Sequence, residues 1–138
     1  MLSLSEQFDR YIDPLPEELR KRNDLIFADF GSGTGRWSYY LSDFIAKINI
    51  VEPAEKAFRV LTFRFINESK VVVLHELVNS NQTSVESLDL AVSAGIPNHI
   101  SDIQGAIQKV ADKIKTSGTF LGYLNYFIAN KHLLYRAL

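Results

Sequence analysis

The sequence predicts an α/β fold, a doubly wound parallel sheet of five strands with helices on both faces. Apolar and β-branched runs alternate along the chain with stretches of helical periodicity. The runs are continuous, as strands covered on both faces are. A glycine cluster separates the first run from the first helical stripe, at the turn where such sheets open toward a ligand.

Taken in order, residues 25–30 (LIFADF) read as a buried strand that stops at the glycines. Trp37, Tyr40, Leu41, Phe44 and Ile45 then recur on one helical face. Residues 48–52 (INIVE) form the second strand, and Pro53 suits the start of a helix because it lacks the N–H that a helix leaves unbonded there. Phe58, Leu61 and Phe65 mark the inner side of that helix, and residues 70–74 (KVVVL) are the third strand. The polar stretch NSNQTSVES leads into the fourth, LDLAVS at 88–93. Ser101 with Gln104 predicts a capping box, and Ile103, Ile107, Val110 and Ile114 follow on one face up to a stop at Gly118. The fifth strand is TFLGYLNY at 119–126, and the tail from Ile128 to Leu138 reads as a helix. Repeated strand–helix units with right-handed crossovers make the fold Rossmann-like.

A length of 138 residues suits a single domain. The first 24 residues are read as an N-terminal helical segment in which Phe8 and Tyr11 precede Pro14 and Pro16, expected to fold as a lid over a bound ligand; residues 25–138 are the core. Fifteen basic residues against sixteen acidic ones, without a basic track, argue against nucleic acid as a partner. The absence of cysteine excludes disulfides and thiolate metal sites. His75 and His132 lack partners at ligand spacing, so no metal is expected. The opening MLSLSEQFDR is too polar for a signal peptide and no run is long enough to span a membrane, so the expected location is cytoplasmic, with no membrane partner.

The most informative segment is Asp29-Phe30-Gly31-Ser32-Gly33-Thr34-Gly35-Arg36. Glycines at alternate positions let the backbone turn sharply and let a ligand approach the main chain. The following helix presents free N–H groups. Dinucleotide sites favour G-x-G-x-x-G, but the third glycine would fall at Arg36, and Gly35 comes one place early. Asp29 would repel a pyrophosphate and attract an ammonium group. A phosphate-binding P-loop is excluded because no Gly-Lys-Ser/Thr follows. Glu52, ending the second strand, can accept hydrogen bonds from both hydroxyls of a ribose, although a solvated strand end remains an alternative.

From about Leu25 onward the chain resembles the class I S-adenosylmethionine-dependent methyltransferases. DFGSGTGRW resembles their first motif and IVEPAEKAF their second-strand acid motif. SLDLAVSAGIPNHISD resembles their fourth-strand region, and KIKTSGTFLGYLNY their turn and fifth strand, with Ser117-Gly118 in place of paired glycines. The resemblance implies S-adenosylmethionine as cofactor, held by Asp29, Gly31, Ser32, Gly33 and Gly35, with Glu52 and Pro53 at the ribose. It also implies Glu76, Leu77 and Ser93 at the remaining cofactor contacts, Glu76 standing where the family often places an adenine-binding Asp. The implied reaction is methyl transfer to a small acceptor. The alternative is a non-catalytic domain that binds the cofactor or a partner protein.

Methyl transfer from a sulfonium needs alignment more than a catalytic residue. His99, just beyond the fourth strand, is the one candidate for a base, with a plain loop residue as the other reading. Tyr123, Tyr126 and Tyr135 are candidates for a substrate pocket or for the core. Family members add an antiparallel strand pair, which this chain is expected to lack. The fifth strand would then be an exposed edge, so the chain reads as a fragment or as one whose edge a partner covers, a second copy making a homodimer included.

Overall fold

A computed structural model of the chain describes Glu6 and residues 17–79, 82–93, 101–126 and 129–136, those beyond Gly122 by backbone alone. After a short helix α1 (Glu17–Arg20), the elements are β1 (Ile26–Phe30), α2 (Arg36–Leu41), β2 (Lys47–Val51), α3 (Glu55–Arg64) and β3 (Val71–Leu74). They continue with β4 (Leu88–Ser93), α4 (Ile103–Ala111), β5 (Ile114–Tyr126) and β6 (Ala129–Arg136). The sheet order is β3-β2-β1-β4-β5-β6. The first five strands are parallel, as the sequence predicts, and β6 runs antiparallel to β5.

Both faces of the sheet are covered, so the inner strands are mostly apolar, with Asp29, Asp89 and Ser93 as buried polar exceptions. Phe27, Ile48, Ile50, Leu90 and Val92 face Leu41 of α2 and Leu61 of α3, with Phe65 just beyond its end. Ala28, Phe30, Val51, Ala91 and Phe120 face Val110 of α4. Successive residues of β1 thus enter opposite layers, which is the period-two geometry of a strand buried on both sides.

Several local expectations are corrected. The tail is strand β6, not a helix: the open edge of β5 offers a ladder of unpaired backbone groups, and pairing from Thr119↔Arg136 to Tyr126↔Ala129 satisfies them over local propensity. The expected edge for self-association at β5 is therefore covered, and among the described residues one antiparallel strand follows the five parallel ones. Gly118 does not stop a helix. α4 ends at Ala111, and Gly118 lies within β5, where Leu88 pairs with Ile114 and Leu90 with Thr119, so extra residues loop out of β5 between them. A Cβ on Gly118 would stand 2.9 Å from the Leu88 carbonyl oxygen, which is why glycine occupies it.

The cap of α4 is Asp102 rather than Ser101, its Oδ1 accepting from the Gly105 N–H at 2.8 Å. α2 ends at Leu41, where the Ser42 hydroxyl donates to the Tyr39 carbonyl at 2.8 Å and competes with another turn. Ile45 remains buried, while Phe44, expected on the inner face, is 60% exposed. Phe8, Tyr11, Pro14, Pro16 and His99 lie outside the described residues, as do the side chains of Tyr123, Tyr126 and Tyr135. Among the described residues no helix is long and apolar enough to cross a membrane.

A second polar feature anchors the amino ends of the strands. Asp89 of β4 is 4% exposed, and its carboxylate accepts from the Ile26 N–H at 2.9 Å and pairs with Lys115 at 3.1 Å. Arg22 approaches it at 3.3 Å while also bonding Asp24. The acid brings β1, β4 and β5 into one register at the pole opposite the glycine loop.

Candidate functional site

The strand order reverses between β1 and β4, and the carboxyl ends of β1, β2, β3 and β4 open beside that point. The chain leaves β1 at Gly31, whose N–H extends the sheet by donating to the Val51 carbonyl at 2.8 Å. It turns through Ser32 to Gly35, with the Gly35 N–H donating to the Ser32 carbonyl at 3.0 Å, and enters α2. Gly31, Gly33 and Gly35 all have φ between 60° and 75°, the left-handed region that a Cβ disfavours. Two of them differ in what surrounds them. A Cβ on Gly35 would come within 2.5 Å of Leu61 and 3.0 Å of Phe65, so this glycine seats the loop on α3. A Cβ on Gly33 would meet nothing within 4 Å, leaving its backbone facing open space.

Asp29 sits one residue before the end of β1 and is fully buried. Its Oδ2 accepts from the Ser38 hydroxyl at 2.7 Å, and its Oδ1 is buried without a partner. Burial pushes its pKa up to about 7; the Ser38 hydrogen bonds oppose that rise and the nearby Glu52 charge adds to it.

Glu52 follows β2 and is 5% exposed. Its Oε2 accepts from the Gly33 N–H and its Oε1 from the Ala54 N–H, each at 2.8 Å. One carboxylate thus holds the glycine loop and the entry to α3 together. The solvated alternative for Glu52 does not hold. The Pro53 carbonyl lies 3.0 Å from His75 Nε2, and the His75 ring stacks on Phe58 with centroids 4.7 Å apart.

Beyond β3, Glu76 accepts from the Gln82 N–H at 2.7 Å and closes that loop, and Leu77 is 57% exposed. At the end of β4 the buried Ser93 hydroxyl donates to the Phe30 carbonyl at 3.0 Å, tying β4 to the start of the glycine loop. The structure therefore brings Asp29, Ser32, the three glycines, Glu52, Pro53 and Ser93 to one edge, with Glu76 and Leu77 at its β3 side. Ser32 Oγ is also buried without a partner. Among the described residues no acidic or histidine cluster is arranged to hold a metal.

Ser38 was not singled out by sequence reasoning; a lone serine in the first turn of a helix gives no sign of its partner until the helix packs against Asp29. Arg64 was also missed. Its guanidinium donates to the Thr34 carbonyl at 2.7 Å and lies over the Tyr39 ring, bracing the loop from the end of α3.

Residues 28–122 match a family model described as a methyltransferase domain. No curated protein matches the chain. Among solved structures, the YcgJ protein of Bacillus subtilis is similar at a TM-score of 0.74 and 19% identity, over 85% of this chain and 51% of that one. A candidate S-adenosylmethionine-dependent methyltransferase from Listeria monocytogenes gives 0.72 and 16%, over 88% and 55%. An S-adenosylmethionine-dependent methyltransferase from Thermotoga maritima, a candidate histamine N-methyltransferase, gives 0.67 and 22%, over 88% and 51%. At these identities the likeness is one of fold, and the chain spans about half the length of the structures it resembles.

Proposed function

The chain belongs to the methyltransferase-domain family, and from that premise we propose that it binds S-adenosylmethionine across the ends of β1 and β2 and transfers its methyl group to a small acceptor. The observation that carries the reading is Asp29: a fully buried carboxylate with one oxygen held and the other without a partner, beside a glycine loop. A buried, unpartnered acceptor is costly unless a donor completes it. The ammonium group of the cofactor is such a donor.

The other residues fit the same group. Gly33 leaves open space where a side chain would stand, so a ligand can approach its backbone. Glu52 retains a second lone pair on each oxygen after bonding Gly33 and Ala54, enough for two ribose hydroxyls. Exposed Leu77 offers an apolar surface for the adenine, with Glu76 and Pro53 beside it. Ser32 and Ser93 border the loop, and Gly31 and Gly35 shape it. When bound, the cofactor supplies a methyl already activated on a sulfonium. The chain's task is then to orient the acceptor and exclude water. For acceptors that must lose a proton, His99 is our candidate base.

Titration calorimetry with S-adenosylmethionine and S-adenosylhomocysteine tests the reading, with an Asp29→Ala, Glu52→Ala double variant as control. Saturable binding that the variant loses supports it. A folded chain that binds neither compound overturns it, and binding without methyl transfer to any acceptor would leave a cofactor-binding domain that does not turn over.

A further inference from the structure

We propose that Ser38 is the positioning residue of the cofactor site: its hydroxyl holds Asp29 through Oδ2 and keeps Oδ1 free for the cofactor's ammonium group. The inference rests on the cofactor reading above. Asp29 lies in β1 and Ser38 on α2, so the 2.7 Å bond spans the glycine turn and ties the acid to the helix that the turn introduces. Both side chains are fully buried, so water does not compete for either.

A helical serine ordinarily returns its hydroxyl to the carbonyl four residues back. For Ser38 that carbonyl belongs to Thr34, which accepts from Arg64 at 2.7 Å. The Ser38 proton goes to Asp29 instead. A hydroxyl has one proton to give, so the bond fixes one carboxylate oxygen and leaves the other as the acceptor. The charged group that bears on Asp29 is Glu52, from the end of β2, and it disfavours ionisation as burial does. The Ser38 hydrogen bonds act against both and favour the charged form that an ammonium requires.

The test is the pH dependence of S-adenosylhomocysteine affinity between pH 5 and 8 for the wild type, Ser38→Ala and Ser38→Thr. Wild-type affinity should rise by about tenfold per pH unit while Asp29 is mostly protonated, then level off as it ionises. Ser38→Ala should bind more weakly and level off at a higher pH. Ser38→Thr, which keeps the hydroxyl, should retain the wild-type midpoint. If the added methyl prevents folding, Ser38→Cys, a weaker donor, should give a midpoint between wild type and alanine. An alanine variant with weaker affinity but an unmoved midpoint would overturn the proposal, since Ser38 would then act by packing alone. Absence of any binding by the wild-type chain is a separate outcome and would fell the cofactor reading itself.

Discussion

The Glu52 carboxylate reaches back nineteen residues to the Gly33 N–H at 2.8 Å, joining the end of the second strand to the loop after the first. With its other oxygen on the Ala54 N–H, it satisfies two backbone donors beside the sheet edge. Glu52→Ala should leave both without their acceptor and lower stability by about 2 kcal/mol. Glu52→Gln, with one carbonyl oxygen remaining, should lose less. Urea denaturation of the three proteins orders them, and equal midpoints would contradict the role.

Asp29 makes stability depend on pH in a definite direction. Its folded pKa of about 7 lies above the ordinary 3.8, so the folded chain keeps a proton that the unfolded chain releases between those values. The contribution is full below about pH 4 and is lost as pH rises through 7. Asp29→Asn should remove that slope and exceed the wild type at pH 8 by up to about 4 kcal/mol, while losing cofactor affinity. Melting temperatures between pH 4 and 8 measure it; parallel curves for the two proteins would refute it.

Gly33 and Gly35 should separate binding from folding. Gly35→Ala drives a methyl toward Leu61 and Phe65 at positive φ and should destabilise by about 2–4 kcal/mol. Gly33→Ala meets no neighbour and should cost only the backbone strain, about 1–2 kcal/mol. Its larger effect should be on ligand affinity, because the methyl fills the open side of the loop. Thermal melts paired with calorimetric titration give both readouts, and a Gly33→Ala protein with wild-type affinity would refute the contrast.

Asp89 should behave in the opposite way. Asp89→Ala leaves the Ile26 N–H without its acceptor and frees two cations that are already partly in water, a loss of about 1–3 kcal/mol. Asp89→Asn should lose less. Neither should change S-adenosylhomocysteine affinity once the protein is folded, which calorimetry at low temperature can verify.

The parallel strands were legible because full burial writes itself as short runs rich in apolar and β-branched residues, and β4 falls on the predicted residues 88–93. The glycine loop was legible because its conformation excludes side chains. What escaped depended on partners distant in sequence. The tail looks helical until the ladder of β5 is present to pair it, and Gly118 looks like a helix stop until Leu88 crowds it. Ser38 carried no periodic signal, and only the packed helix reveals that its hydroxyl meets Asp29. Glu52 was read as a ligand group, whereas its bonds to Gly33 and Ala54 make it structural as well.

The pairing of β1 with β4 sets an order on assembly. Phe27 lies opposite Leu90, so this central ladder cannot form until the whole stretch between them has been gathered, whereas β5 and β6 zip together as neighbours. During synthesis the loop at Gly31 to Gly35 emerges early but has no wall on its β4 side until Ser93 reaches the Phe30 carbonyl. A nascent chain halted before that residue would carry the glycine motif intact but lack the β4 side chain that ties down Phe30 at the start of the loop.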